Sequence, residues 1–184
     1  MSTETKVTTK ELVRFSYVDL IEAKLAPGAT EAKFKMSIIV PKSAKKTLKQ
    51  LEDGINAAIE LGESKFGDKW GTKRNTFKLP LRDGDDERPG DAGYANSMFF
   101  NASNKTRPGV FNAKVQPILD LQEVVSGDWG MVCVTFFPYN VSGAQGVGAA
   151  LNLVQKVKNG EPLGSGVKAS DEFEELDEAD FDDV

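Results

Sequence analysis

The chain of 184 residues holds 23 Lys and Arg, 28 Asp and Glu, one cysteine and no histidine. A lone cysteine excludes an intrachain disulfide. The lack of histidine excludes Ser-His-Asp and Cys-His catalysis, His-containing zinc motifs and the usual general base near neutral pH.

The formal charge of −5 joins two unlike parts: residues 168–184 carry nine carboxylates and one lysine (−8), and the remainder carries 22 basic against 19 acidic residues (+3). The length suits one domain with a substantial core, expected over 1–164, followed by an acidic flexible tail over 165–184. No apolar run approaches the length of a membrane span, and the opening MSTETKVTTKE lacks the apolar stretch of a signal peptide. The expectation is a soluble cytoplasmic protein with no membrane association.

In chain order, ELVRFSYVDLIEAKL reads as a half-buried strand with Val13, Phe15, Tyr17 and Ile21 on one parity. Pro27-Gly28 marks a turn. KFKMSIIVPK alternates more cleanly: Phe34, Met36, Ile38 and Val40 face one way, and Lys33, Lys35 and Ser37 form a wet basic face. Ser43 can cap a helix in which Leu48, Leu51, Ile55, Ile59 and Phe66 recur at helical spacing, closed by Gly62 and Gly67. A long, turn-rich excursion follows to about residue 95, and long ordered loops tend to carry function.

Three further strands are predicted: SMFFNASNK, WGMVCVTFFPYN and GVGAALNLVQKV. In the middle one, Val132, Val134 and Phe136 take the core parity, and Trp129, Met131, Cys133, Thr135, Phe137 and Tyr139 point the other way. Five strands and one main helix predict a mainly β fold, an OB-type five-stranded barrel. GEPLGSG reads as a hinge, and beyond it too little apolar surface remains to offset the entropy of ordering.

Three apparent signatures fail. GESKFGDK lacks the Lys-Ser/Thr pair of a phosphate loop and ends a helix instead of starting one. GAQGVGAAL lacks the third glycine of a dinucleotide fingerprint and suits a strand passing close to a neighbour. DGDDE at 83–87 concentrates carboxylates, but Arg88 stands where a calcium loop needs glycine, and pairing with Arg82 and Arg88 is the simpler reading.

The stronger signal interleaves cations with aromatics: Lys73, Arg74, Lys78, Arg82 and Arg88 in the long loop, then Tyr94, Phe99, Lys105 and Arg107, then Trp129, Phe137 and Tyr139 on one strand parity. Cations neutralise phosphates and ring faces stack on unpaired bases, each stack being worth about 1–3 kcal/mol. For any one aromatic the competing reading is a second apolar layer. The tail, an anion with Phe173, Leu176 and Phe181 spaced along it, imitates a nucleic-acid strand. It can occupy a vacant cationic groove and, once expelled, dock other proteins. A merely solubilising tail is its plainer alternative.

KLPLRDGDDERPGDAGYANSMFFNASNKTRPGV, with SGDWGMVCVTFFPYN and GVGAALNLVQKVKNGEPLGSG, resembles the OB-fold single-stranded DNA-binding proteins of tailed bacteriophages. The resemblance runs from about Phe34 to Gly164. It implies sequence-tolerant binding of single-stranded DNA in phage replication, recombination or repair, without catalysis or cofactor, and an acidic C-terminus that modulates binding and recruits replication proteins. It implies contacts from Arg82, Arg88, Tyr94, Phe99, Lys105, Arg107, Trp129 and Tyr139. Met131 departs from a pattern in which that position is often basic, which removes one phosphate contact.

Two other functions compete: a metal-dependent phosphoryl-transfer enzyme using Asp83, Asp85, Asp86 and Glu87, which needs no histidine, and a tail-mediated interaction module that binds no nucleic acid.

Overall fold

The computed structural model describes residues 4–71 and 76–163. The strands are β1 (Lys6–Thr8), β2 (Val13–Lys24), β3 (Lys33–Pro41), β4 (Arg82–Asp83), β5 (Ser97–Asn104), β6 (Gly109–Phe111), β7 (Trp129–Val141) and β8 (Ala144–Lys158). The helices are α1 (Lys45–Phe66) and the single turn α2 (Gly84–Glu87), with a 3₁₀ turn at Leu121–Glu123.

Five strands close a ring: β7 pairs with β2, β2 with β3, β3 with β5, β5 with β8, and β8 again with β7. Only the β5–β8 pairing within that ring is parallel. This is the expected OB-type barrel, whose closure removes the exposed edges of an open sheet. The three short strands are additions: β1 extends β7, β6 runs beside β8 and β4 beside β5.

Alternation along the strands fills the interior. Val132, Val134 and Phe136 of β7 are buried against Phe100, Leu151 and Val154, as their shared parity requires. β2 breaks the expected parity. Val13 and Phe15 point inward, but Tyr17 and Ile21 are about half exposed and Leu20 is buried instead. A register break between Ser16 and Asp19, with Tyr17 at φ +47°, is a β-bulge that reverses the alternation from there on.

The wet face expected of β3 is likewise confined to its first residues. Ile39 is buried because Tyr94, Phe99 and Leu163 form a second, smaller cluster with it, and Ser37 is buried with its hydroxyl donating to Asn101.

Helix α1 packs Leu51, Ile55 and Ala58 into the main core. Ala44, not Ser43, holds its N-cap position, and no side chain caps it there. Glu11 supplies the missing partner. Its carboxylate accepts from the Thr47 amide at 2.9 Å, and the Thr47 hydroxyl accepts from the Glu11 amide at 3.0 Å. One orphan amide of the helix is thus satisfied by a segment remote in sequence, and the helix hydroxyl satisfies the Glu11 amide in return. At the other end Gly67, at φ +82°, closes the helix, and Gly62 lies inside it, where the Trp70 indole leaves no room for a Cβ.

From Arg82 to Asn96 the turn-rich excursion is more ordered than its composition suggests. Asp83 caps α2 by accepting from the Asp85 amide, and the Lys42 ammonium lies 2.9 Å from Asp83 and 2.7 Å from Asp85. Asp85 also accepts from the Asn96 amide at 2.9 Å. Hydrogen bonds from Lys42 hold both carboxyls below the usual carboxylate range, and the same bonds raise the Lys42 pKa.

Lowered carboxyl pKa values give stability above the unfolded value, near pH 4, that is lost as pH falls through the folded values; the raised lysine pKa gives stability lost only in strong alkali. The melting temperature of Lys42→Met is therefore expected to fall below wild type at pH 7, with the gap shrinking as the pH is lowered below about 4. A gap constant between pH 7 and pH 2.5 would contradict the ion cluster.

Candidate nucleic-acid interface

A groove crosses the barrel face built from β2, β3, β5 and the loop before β5. It consists of three adjoining hollows of about 860, 620 and 760 Å³. The first, at the Arg14 end, shares Tyr17, Arg88 and Ser126 with the second. The second shares Arg82 and Asn101 with the third, which ends at Lys78 and Tyr139. Cations recur along the whole course: Arg14, Arg88, Lys24, Lys35, Arg82 and Lys78.

Most of these cations are held in place. Arg82 pairs with Glu87 at 3.0 Å and lies 4.6 Å from the centre of the Phe99 ring. Arg88 pairs with Asp91 at 3.0 Å, donates to the Tyr17 hydroxyl at 2.6 Å and lies 4.2 Å from the Tyr94 ring centre. Lys24 bonds Asp19, and Lys35 approaches the same carboxylate at 3.9 Å. Arg14 donates to the Gly127 and Glu161 carbonyls and lies over Trp129. Fixed guanidinium groups on ring faces lose little freedom when an anion arrives.

The two glycines that marked close approach serve the far end. A Cβ at Gly148 would fall 2.6 Å from the Phe137 ring, and one at Gly146 would fall 2.7 Å from the Tyr139 hydroxyl and 2.3 Å from the Lys78 carbonyl oxygen. Glycine at both lets those rings lie on β8, with Phe137 41% exposed.

The sequence-predicted residues therefore divide. Lys78, Arg82, Arg88 and Tyr139 border the groove together, and Phe137 lies against its neighbour Gly148. Tyr94 and Phe99 also line it but are only 2% and 3% exposed. Edge-to-face with ring centres 5.1 Å apart, they are the apolar floor under Arg88 and Arg82 and leave no free face for a base. The competing reading of a second apolar layer holds for these two.

Trp129 is half-buried beside the first hollow, between Arg14 and Lys158, and residue 160 passes so close that only glycine fits. Lys105 pairs with Glu31, and Arg107 donates to the Leu20 and Ile21 carbonyls and covers Phe34; neither borders the groove. Lys73, Arg74, Phe173, Leu176 and Phe181 lie outside the described residues.

Sequence reading missed Arg14, Tyr17, Lys24 and Lys35 as groove residues. The wet basic face of β3 already pointed to Lys35. Nothing in the local pattern announces the bulge that turns Tyr17 outward.

The acidic run is not arranged as a metal site. Lys42 bridges Asp83 and Asp85, and no cluster of three or more metal-ligating side chains occurs among the described residues. No described helix is long and apolar enough to cross a membrane.

A closed OB-type barrel with a cation-lined groove across one face places the molecule among OB-fold proteins built on the plan of oligonucleotide binders. The chain belongs to the family described as Enterobacter phage Enc34, ssDNA-binding protein, whose model matches residues 5–184. It is 29% identical over 184 residues, 94% of this chain and 95% of the relative, to the putative protein p50 of Acyrthosiphon pisum secondary endosymbiont phage 1.

Among solved structures, the bacteriophage Enc34 single-stranded DNA-binding protein in complex with ssDNA superposes with a TM-score of 0.72 at 24% identity, covering 86% of this chain and 88% of that one. Gp2.5, a single-stranded DNA-binding protein encoded by bacteriophage T7, shares the fold with a TM-score of 0.63 at 15% identity, covering 94% and 96% of the two chains.

Proposed function

We propose that this protein is a non-catalytic, sequence-tolerant single-stranded DNA-binding protein acting in phage DNA replication, recombination or repair in the host cytoplasm. The observation that carries the reading is the continuous groove, in which cations recur at intervals from Arg14 to Lys78 and the Tyr139 ring stands at the Lys78 end. Arg82, Arg88 and Lys78 neutralise phosphates, joined by Lys73 and Arg74 from the loop. Tyr139, Phe137 and Trp129 offer rings to bases. Membership of a family described by its ssDNA-binding protein supports the same ligand.

The acidic tail completes the proposal. Leu163, the last described residue, borders the first hollow and packs on the Tyr94–Phe99 cluster, so the described chain ends at the edge of the groove. Residues 165–184 then compete with DNA at an effective concentration of order mM, and a tail affinity of the same order costs DNA only a few-fold. When displaced, Phe173, Leu176 and Phe181 anchor replication or recombination proteins.

Anisotropy titrations of labelled oligonucleotides test this. The full chain is expected to prefer single strands over duplex and to lose affinity with rising salt, log K falling by about 0.7 per neutralised phosphate for each tenfold increase. A chain ending at Gly166 is expected to bind a few-fold tighter. Equal or better duplex binding would contradict stacking as the source of selectivity. No binding by either chain would favour a protein-interaction module.

A further inference from the structure

We propose that Tyr17 is a base-stacking platform at the centre of the groove, held there by a strained bulge and by Arg88. The inference rests on the proposed binding of single-stranded DNA and adds to it a residue that no pattern in the sequence marked.

Three observations converge on this residue. Tyr17 lies where the first two hollows meet, bordering both. The residue is 54% exposed although it sits in the middle of a barrel strand, among neighbours Phe15, Ser16 and Leu20 that are all buried. Its backbone has φ +47°, a left-handed conformation that a bulky residue rarely adopts and that glycine adopts without strain. Nothing in the barrel's packing requires tyrosine here, since the side chain fills no core space. A strained conformation persists where the surroundings over-determine it, and such positions concentrate at ligand sites.

Arg88 makes the platform rigid. Its guanidinium donates to the Tyr17 hydroxyl at 2.6 Å and lies 5.1 Å from the Tyr17 ring centre while also covering Tyr94. Tyr94 in turn bonds the Ser16 hydroxyl at 3.0 Å, so ring, cation and floor form one connected unit across the groove. A ring fixed before the ligand arrives loses little freedom on binding. An unpaired base stacks on its solvent face while Arg88 stays within reach of the adjoining phosphate.

The experiment compares the full chain with Tyr17→Gly and Tyr17→Phe on two ligands of equal length: a thymidine oligonucleotide and its abasic sugar-phosphate counterpart. Tyr17→Gly is expected to weaken thymidine binding about ten-fold or more, to change abasic binding by less than about two-fold, and to leave the melting temperature unchanged or higher. Tyr17→Phe, which keeps the ring, is expected to stay within about three-fold of wild type on both ligands.

Wild-type strength binding of thymidine by Tyr17→Gly would overturn the platform and leave the proposed function standing, as would equal losses on both ligands. If the unaltered chain binds neither ligand, the proposed function fails first and the platform with it.

Discussion

Replacing Gly130 by alanine is expected to destabilise the protein by about 3 kcal/mol or more, beyond the usual range for one added methyl. Gly130 lies in β7 where that strand meets both β2 and β8, opposite Val13 and Lys156, at a register break between Trp129 and Gly130. A Cβ built there falls 1.9 Å from the Gln155 carbonyl oxygen and 2.7 Å from the Phe15 ring. The oxygen belongs to the backbone of the partner strand and Phe15 is wholly buried, so neither can rotate aside. Relief requires the β7–β8 pairing to open at the seam that closes the barrel.

For a chain of this size the melting temperature should drop by roughly 10 °C. Gly28→Ala is the control: its φ is +79° but no atom lies within 4 Å, so only the left-handed backbone is penalised, by about 1–2 kcal/mol. Urea denaturation of the two variants separates the effects. A Gly130→Ala midpoint no lower than that of Gly28→Ala would show that the seam relaxes freely.

The barrel was legible because its long strands carry their own signal. Val132, Val134 and Phe136 alternate with half-exposed or smaller neighbours, and α1 shows a clean stripe through Leu51 and Ile55. What escaped was set by tertiary contact. The cap on α1 comes from Glu11, far from Thr47 in sequence, so the nearby Ser43 was a false signal. The order in the loop after α1 comes from Lys42 gripping Asp83 and Asp85, whereas charge content alone reads as solvated.

The groove was half legible for the same reason. Clustering of Arg82 and Arg88 with aromatics was visible in the chain, but whether a ring faces solvent depends on what lies over it. Tyr94 and Phe99 are covered by Arg88, Arg82 and Leu163, and Tyr17 is uncovered by a bulge. Composition identified the kinds of group an ssDNA groove needs, and the bulge and the short strand β4 decide which copies of each border the groove.

Reversing two groove charges together, Arg82→Glu with Lys35→Glu, is expected to weaken binding of single-stranded DNA by about a hundred-fold or more at moderate salt. Arg82 borders both the second and third hollows, and Lys35 borders the second, so a strand laid in the groove would pass both. Each substitution removes an attraction and adds a repulsion. The loss of two phosphate contacts should also flatten the dependence of log K on log salt by about 1.4.

The fold should survive. Both side chains are partly exposed, Lys35 only approaches Asp19 at 3.9 Å, and the Arg82–Glu87 pair is a surface ion pair of small worth. Lys45→Glu with Lys49→Glu changes the net charge equally, on exposed positions of α1 that border none of the three hollows. This second variant should bind within a few-fold of wild type, because neither position lines the groove and salt weakens the reach of exposed charges, over a Debye length of about 10 Å at 0.1 M. Were the helix variant to lose as much affinity as the groove variant, binding would follow overall charge and the groove would not be where the strand lies.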